Sequence, residues 1–400
     1  MRFFSHLPFA AVCLFTLFFV SCETEQPPTI IRLDGSAITV DSLTVGIQAL
    51  VDAAEVHGLS VSVFQDGKAA YQRTFGYKHY PERLPLNDTT NMYGASLSKA
   101  VFAVLVMRLV EEGVLDLDRP LVSYLPRPIY TYEPQTRWHD DYSDLADDTL
   151  HQQITARMCL MHTSGFPNWR WFEPDQRLRV KFKPGSRYHY SGEGLVFLQV
   201  VLEKMLGRGL EEIAQEKLFK PLGMTRSSYE WQPAFEADFA YGHKTNGEIY
   251  GKDTDNEPRA ASTLETTLTD YSIFLEVVLQ HKLLADSSWA EMLRPQIRLR
   301  SKRQFGPLSL QDTTQYDDIQ LSYGLGWGLL KTPYGWGAFK EGHGDGFQHY
   351  SIVFPEAGKG ILLLANSDNG ESIFKPLLEL AIRDVYTPWQ WEGYIPYDER

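Results

Sequence analysis

Ser96-Leu97-Ser98-Lys99 places a hydroxyl and an amine three residues apart at the head of an apolar run. A serine hydroxyl is a weak nucleophile until a base takes its proton. A residue three positions along a helix lies one turn on, over the same face. A lysine buried there has its charged form disfavoured, so its pKa falls toward a useful range. The helix N-terminus adds backbone N–H groups that can hold a developing oxyanion. The same spacing recurs at Ser372-Ile373-Phe374-Lys375, so context must separate the two copies. After Lys99 the chain runs Ala100-Val101-Phe102-Ala103-Val104-Leu105-Val106-Met107, apolar almost all round. That predicts a buried helix, continuing to Glu112 and stopped by Gly113. Ser372 lies near the C-terminus, is followed by Pro376, and has no further chemical element after it.

Two more groups of residues carry chemistry. Tyr190-Ser191-Gly192 follows Phe182-Lys183-Pro184-Gly185, and His343-Gly344-Asp345-Gly346 follows a predicted strand. With Ser96-x-x-Lys99, this order resembles the serine β-lactamase and penicillin-binding-protein superfamily. The resemblance is to the class C β-lactamase-like branch, which includes esterases and D-amino-acid peptidases. Leu160-Met161-His162-Thr163-Ser164-Gly165-Phe166-Pro167 and Pro221-Leu222-Gly223-Met224-Thr225 resemble two further segments of that branch. The likeness covers residues 41–386. It implies that Ser96 is the acylated nucleophile and that Lys99 helps to deprotonate it. Tyr190 would be a base or a proton shuttle to the leaving group, and its phenol needs a nearby cation, Lys99 being the obvious one. Whether Lys99 or Tyr190 takes the first proton stays open. The backbone N–H groups of Ser96 and Gly346 would form the oxyanion hole. His162 reads as structural.

Three departures from the family pattern bear on substrate. The second motif usually ends in Asn, which hydrogen-bonds the substrate amide; here it is Gly192. The third motif is usually Lys-Thr-Gly; here His343 stands for the cation, a pattern seen in esterase and peptidase relatives. Gly344 follows it, and Asp345 occupies the place of a small glycine in the cleft. A neutral imidazole holds a substrate carboxylate poorly, and Asp345 would repel one. The expected activity is hydrolysis of esters, small amides or peptides through an acyl-enzyme. A β-lactamase or D-Ala-D-Ala carboxypeptidase is the alternative within the class. A catalytically silent cell-envelope binding protein is the alternative outside it.

The elements that must position these groups follow from hydrophobic period. Leu59 to Gln65 and Ala69 to Phe75 flank the turn Asp66-Gly67 and read as a hairpin. Trp336 to Glu341, Gln348 to Phe354 and Gly360 to Ala365 read as three more strands, followed by a helix from about Ser372 to Tyr386. Leu150 to Leu160, Gly192 to Met205, Leu210 to Phe219 and a segment ending at Gln280 have helical period. Residues 294–318 have none and read as a long surface connection. Strands at both ends with helices between predict an α/β (α+β) fold. One antiparallel sheet is built from both chain ends and flanked by helices, with an inserted, mostly helical region. A sheet part spans about 41–115 and 260–386 and a helical part about 116–259, with 387–400 as a C-terminal tail. The resemblance implies the same fold, with the site in the cleft between the two parts.

The chain carries a net charge of −13, which argues against nucleic acid as a partner. Hydrophobic content of 43% and charged content of 22% describe an ordinary globular protein. Arg2 and the apolar run Leu7 to Val20 read as a signal peptide over residues 1–21. Phe19-Val20-Ser21-Cys22 resembles a bacterial lipoprotein processing site, with Cys22 carrying the lipid and residues 22–40 as tether. An exported, lipid-anchored protein, periplasmic or cell-surface, is therefore expected. Cys159 alone remains in the folded part, so no disulfide forms within it. His139, Asp140, Asp141 and His151 match no metal-ligand spacing, so neither a metal nor a cofactor is expected. Partners beyond a small-molecule or peptide substrate and the membrane are not indicated.

Overall fold

The computed structural model describes Met1, residues 27–255 and residues 257–399. The apolar leader and Cys22 lie outside the described residues. In chain order the first elements are β1 (Thr29–Ile31), β2 (Ala37–Thr39), α1 (Val40–Ala53), β3 (Gly58–Gln65), β4 (Lys68–His79), β5 (Leu84–Pro85), β6 (Met92–Tyr93) and α2 (Ser98–Glu111). The middle holds α3 (Ala156–Leu160), α4 (Gly192–Leu206), α5 (Leu210–Ala214), α6 (Lys220–Leu222), β7 (Glu265–Thr266), α7 (Leu268–Leu279) and α8 (Asp286–Met292). The chain ends with β8 (Ile297–Arg298), β9 (Ser322–Tyr323), β10 (Gly328–Thr332), β11 (Gly335–Gly344), β12 (Phe347–Phe354), β13 (Lys359–Ala365), α9 (Phe374–Ala381) and α10 (Trp389–Glu392).

Nine strands form one antiparallel sheet in the order β5-β4-β3-β13-β12-β11-β10-β9-β8. β13 pairs with β3, Leu363 opposite Val61, which joins the two chain ends. Side chains alternate across a strand, and here the alternation sorts two cores. Leu362, Leu364, Val353 and Ala338 pack with α2, α4 and α7. Leu363, Ile361, Ile352 and Phe339 pack with α1, α9 and the C-terminal segment. α2 is buried from Ser98 through Met107, because its neighbours cover every side of it. Truncating a side chain such as Phe102 there would cost about 3–5 kcal/mol.

Several expectations are corrected. Leu150 to Leu160 is a 3-10 turn followed by α3. Thr155 breaks the run by capping α3, its side chain accepting from the Met158 N–H. The last long helix is shorter than its apolar period and ends at Ala381, shortly before Arg383 with a φ of +61°. Residues 387–399 are no tail: Trp391 is fully buried and its indole donates to Ser301 Oγ at 3.0 Å. The proposed tether contains β1 paired with β2, with Ile30 buried between them and the core.

Candidate active site

Ser96 sits on a short 3-10 turn, Ala95–Leu97, that leads directly into α2. Ala95 holds a φ of +47°, a left-handed conformation that costs a non-glycine residue about 1–2 kcal/mol. The turn is closed by Leu97 N–H donating to Gly94 O at 3.0 Å, and the Ser98 N–H also donates to Ala95 O. Ser98 is locked in place: its hydroxyl donates to Ala95 O and accepts from Leu264 N–H. Ser96 is only half-buried, so of the two serines it alone is open to a reactant.

Lys99 Nζ lies 2.8 Å from Ser96 Oγ and donates to Ala261 O at 2.7 Å. Burial holds its pKa well below the ordinary lysine value, and the charge of Lys340 pushes it the same way. A neutral amine fits both contacts, since it can give one hydrogen to Ala261 and accept the Ser96 proton. The Tyr190 ring centre is 4.9 Å from Lys99 Nζ. Burial pushes the phenol up to about 12, against the lowering influence of Lys340. Tyr190 is therefore a proton donor at rest. The cation bonded to it is Lys340, whose Nζ donates to the phenol oxygen at 3.2 Å. His162 steadies this tyrosine. Its ring lies 4.3 Å from that of Tyr190, and its Nδ1 accepts from the Ser191 N–H at 3.1 Å.

The third motif departs most from expectation. On β11, Lys340, Gly342 and Gly344 share the face toward α2, while Glu341 and His343 start from the opposite face. His343 accordingly meets Glu371, with Nε2 3.5 Å from the carboxylate, ahead of α9 and away from Ser96. Burial lowers its pKa, but Glu371 outweighs that and the net shift is upward. The place assigned to His343 is taken by Lys340. A Cβ on Gly342 would lie 2.8 Å from Gly94 O and 3.3 Å from Leu97 N. The small residue pressed against the nucleophile turn is thus Gly342, and Asp345 is an exposed residue at the hairpin tip. Lys340-Glu341-Gly342 keeps the first and third members of the expected Lys-Thr-Gly. That signal stood three residues upstream of the histidine.

The oxyanion-hole assignment changes with it. Gly346 N–H donates to Asp368 Oδ1 at 2.9 Å and is spent. Along β11 the backbone of Gly335 and alternate residues up to Phe339 faces β10, and β10 ends at Gly328 opposite Phe339. By the same alternation the N–H groups of Glu341 and His343 point out over an unpaired edge. The backbone of His343, not its ring, therefore faces the open side, as an N–H beside Ser96 N–H would have to.

Two further residues complete the electrostatics. Glu341 reaches round that open edge to Lys340 Nζ at 2.8 Å and accepts from Gln304 Nε2 at 2.7 Å. Lys340 and Glu341 are both buried. The carboxylate keeps Lys340 charged, its pKa raised despite burial. Gln304 belongs to the 294–318 connection, which is therefore part of the site. On the other side, Trp169 fills the space where the Asn side chain of the second motif would stand. A Cβ on Gly192 would lie 2.5 Å from its ring. The decoy pair has a plain explanation: Ser372 is buried and donates to Asn369 O, while Lys375 is exposed and paired with Glu379.

The family model described as beta-lactamase matches residues 46–382. The chain belongs to the beta-lactamase family. Its relatives include the lovastatin esterase of Penicillium rubens, 29% identical over 46% of this chain and 51% of that one. Penicillin-binding protein 4* of Bacillus subtilis is 23% identical over 80% of this chain and 71% of its own length. The match to the esterase thus spans about half of that relative. Among solved structures, the D-alanine carboxypeptidase AmpC of Burkholderia cenocepacia superposes with a TM-score of 0.63 at 20% identity, covering 82% of this chain and 93% of that one. This likeness establishes that the beta-lactamase-family protein has the fold of β-lactamases and penicillin-binding proteins: the large antiparallel sheet flanked by helices.

Proposed function

We propose that the protein is a serine hydrolase acting through an acyl-enzyme on esters or small amides that lack a carboxylate beside the scissile bond. The single observation that carries this reading is the ion pair between Lys340 and Glu341 at 2.8 Å. A β-lactam or a D-Ala-D-Ala peptide presents a carboxylate, which needs a free cation next to Tyr190. Here that cation is already neutralised by a buried carboxylate of the chain itself. Freeing it would strand a buried charge, at a cost of about 3–5 kcal/mol.

In this reading Ser96 Oγ attacks the carbonyl carbon as its proton passes to neutral Lys99. Backbone N–H groups of Ser96 and His343 receive the oxyanion. Tyr190 donates its phenol proton to the leaving oxygen or nitrogen and is resupplied by Lys99, with Lys340 holding down the transient phenolate. Water then repeats the sequence on the acyl-enzyme and restores Ser96. The leader and Cys22 support a membrane-anchored, exported enzyme as part of the same proposal.

The β-lactamase or carboxypeptidase reading draws on one specific feature, the presence of Lys340 beside Tyr190. The two are separated by turnover. The purified protein should cleave an uncharged activated ester with a higher kcat/KM than a chromogenic cephalosporin, and Ser96→Ala should cleave neither. A cephalosporin preference would reverse the proposal. Failure of a fluorophosphonate to label Ser96 would remove the enzyme reading altogether.

A further inference from the structure

Beside Tyr190 the chain builds a cleft of about 570 Å³ that the catalytic scheme does not use. Its apolar walls are Pro167 and Phe172 on one side and Phe305, Pro307 and Leu310 on the other. Phe172, Phe305 and Leu310 are 66%, 43% and 59% exposed, an apolar rim held open to solvent. The Phe305 ring stands edge-on to that of Tyr190, with centres 5.1 Å apart. Of the charged residues lining the cleft, Lys181 and Glu173 pair with each other at 2.7 Å. The amide Nε2 of Gln304 is held by Glu341. The wall itself is anchored. Gln304 N–H donates to Trp391 O at 2.9 Å, which ties this connection to the buried C-terminal segment.

We infer that this cleft is a subsite for the leaving alcohol of the substrate and that it takes a neutral apolar group, aryl or medium-chain alkyl. The inference rests on the proposed hydrolase reading. Tyr190 can protonate a leaving oxygen only from within hydrogen-bond reach. The group borne by that oxygen must then extend into the space that Tyr190 shares with Phe305. That space offers mainly apolar rings and side chains, and a charged alcohol would lose hydration there and would have to break the Lys181–Glu173 pair to gain a partner. Its volume lies within the range of small-molecule sites and suits a bicyclic ring. An apolar subsite and a Lys340 already neutralised by Glu341 both favour a substrate without a carboxylate.

Phe305→Ala tests the inference, and Phe305→Leu serves as its conservative control. Because Phe305 is partly exposed, both variants should melt with the wild type. For 1-naphthyl butyrate, Phe305→Ala should lose about tenfold or more in kcat/KM. For methyl butyrate it should change less than about twofold, and Phe305→Leu should recover most of the difference. Independently of turnover, calorimetry with 1-naphthol on Ser96→Ala protein should detect binding that Phe305→Ala weakens. Equal losses on both esters, or naphthol binding that is absent or indifferent to Phe305, would overturn the subsite. Phe305-dependent naphthol binding without cleavage of either ester would leave the subsite standing and refute the hydrolase reading instead.

Discussion

Gly192 and Trp169 are coupled by direct steric contact. An alanine at 192 puts a Cβ at 2.5, 2.6 and 2.8 Å from three atoms of the indole, where carbon atoms normally rest about 3.5–4.0 Å apart. The ring cannot simply slide away. Trp171 is stacked on it at 4.9 Å, and Trp138 stands perpendicular to it at 5.9 Å. Forced overpacking of this kind costs about 1–3 kcal/mol. Replacing glycine at the start of α4 returns at most about 0.5–1 kcal/mol of backbone entropy. Gly192→Ala should therefore destabilise by about 1–2 kcal/mol in urea titrations. In a Trp169→Ala background the clash is gone, and the same change should be neutral or slightly stabilising, leaving a coupling of about 2 kcal/mol. Activity gives a second readout. Trp169 lies 5.9 Å from Lys99 Nζ and helps to keep it dry. Displacing the ring admits water, raises the Lys99 pKa and moves the acid limb of kcat/KM to higher pH. Equal destabilisation in both backgrounds, or none in the wild type, would refute the packing argument. An acid limb that stays put would refute the link to Lys99.

Three other outcomes are expected. Lys340→Met removes the charge that lowers the Lys99 pKa and leaves Glu341, which raises it, so both effects move the acid limb of kcat/KM upward; a downward move in the pH profile would contradict the assignment. Lys99→Met should abolish turnover yet gain about 0.5–2 kcal/mol in stability at neutral pH, because the folded state holds this amine neutral at a cost. The sign follows from linkage: the unfolded chain binds the extra proton, so wild-type stability rises with pH toward the ordinary lysine value, and denaturation at two pH values should see the variant's advantage shrink. Glu193→Gln should cost about 3–5 kcal/mol by thermal or urea melts, since Arg170 Nη2 meets the fully buried Glu193 at 2.9 Å and ties the Trp169 loop to α4.

What could be read from the sequence was set by how local each signal is. Ser96 and Lys99 are one turn apart on a single helix, so their meeting follows from helix geometry, and the apolar run after them made the burial of Lys99 legible. The hairpin at Asp66-Gly67 and the pairing of both chain ends followed from alternation and turn chemistry. The third motif is set by strand parity, which a run of residues does not reveal by itself. His343 is odd and Lys340 even along β11, and only the even residues face α2. Placing the parity of a strand against a helix far away in sequence requires knowing which core each face joins. Gln304, Glu341 and Trp169 were missed for a related reason. Gln304 and Trp169 reach the site from loops without periodicity and Glu341 from the opposite face of β11, and the partners Gln304–Glu341 and Trp169–Gly192 lie 37 and 23 residues apart along the chain. The residues beyond 386 have no helical period long enough to predict docking, yet Trp391 fills a space left by Phe339 and Tyr188.

In the proposed acyl-enzyme reaction, the choice between Lys99 and Tyr190 as first base would follow from the buried charges. Lys99, Lys340 and Glu341 share this interior with Glu392, whose carboxyl burial pushes well above its ordinary value and so toward the neutral form. A buried ammonium is tolerated only where it is paired. Lys340 has Glu341 at 2.8 Å and can remain charged, whereas Lys99 Nζ is hydrogen-bonded to a carbonyl and a hydroxyl. Its neighbour's charge disfavours a second one. Lys99 is therefore the neutral member and the available base, while the phenol of Tyr190, raised to about 12, keeps its proton until a leaving group calls for it. Threonine at 341 would undo this division. Lys340 would lose its partner and release its proton more readily, Lys99 would no longer be the only neutral amine, and the site would have to recruit an anion from the substrate to restore the balance. In the proposed reaction, the identity of residue 341 would thus set both which group starts it and which substrates can be held while it proceeds.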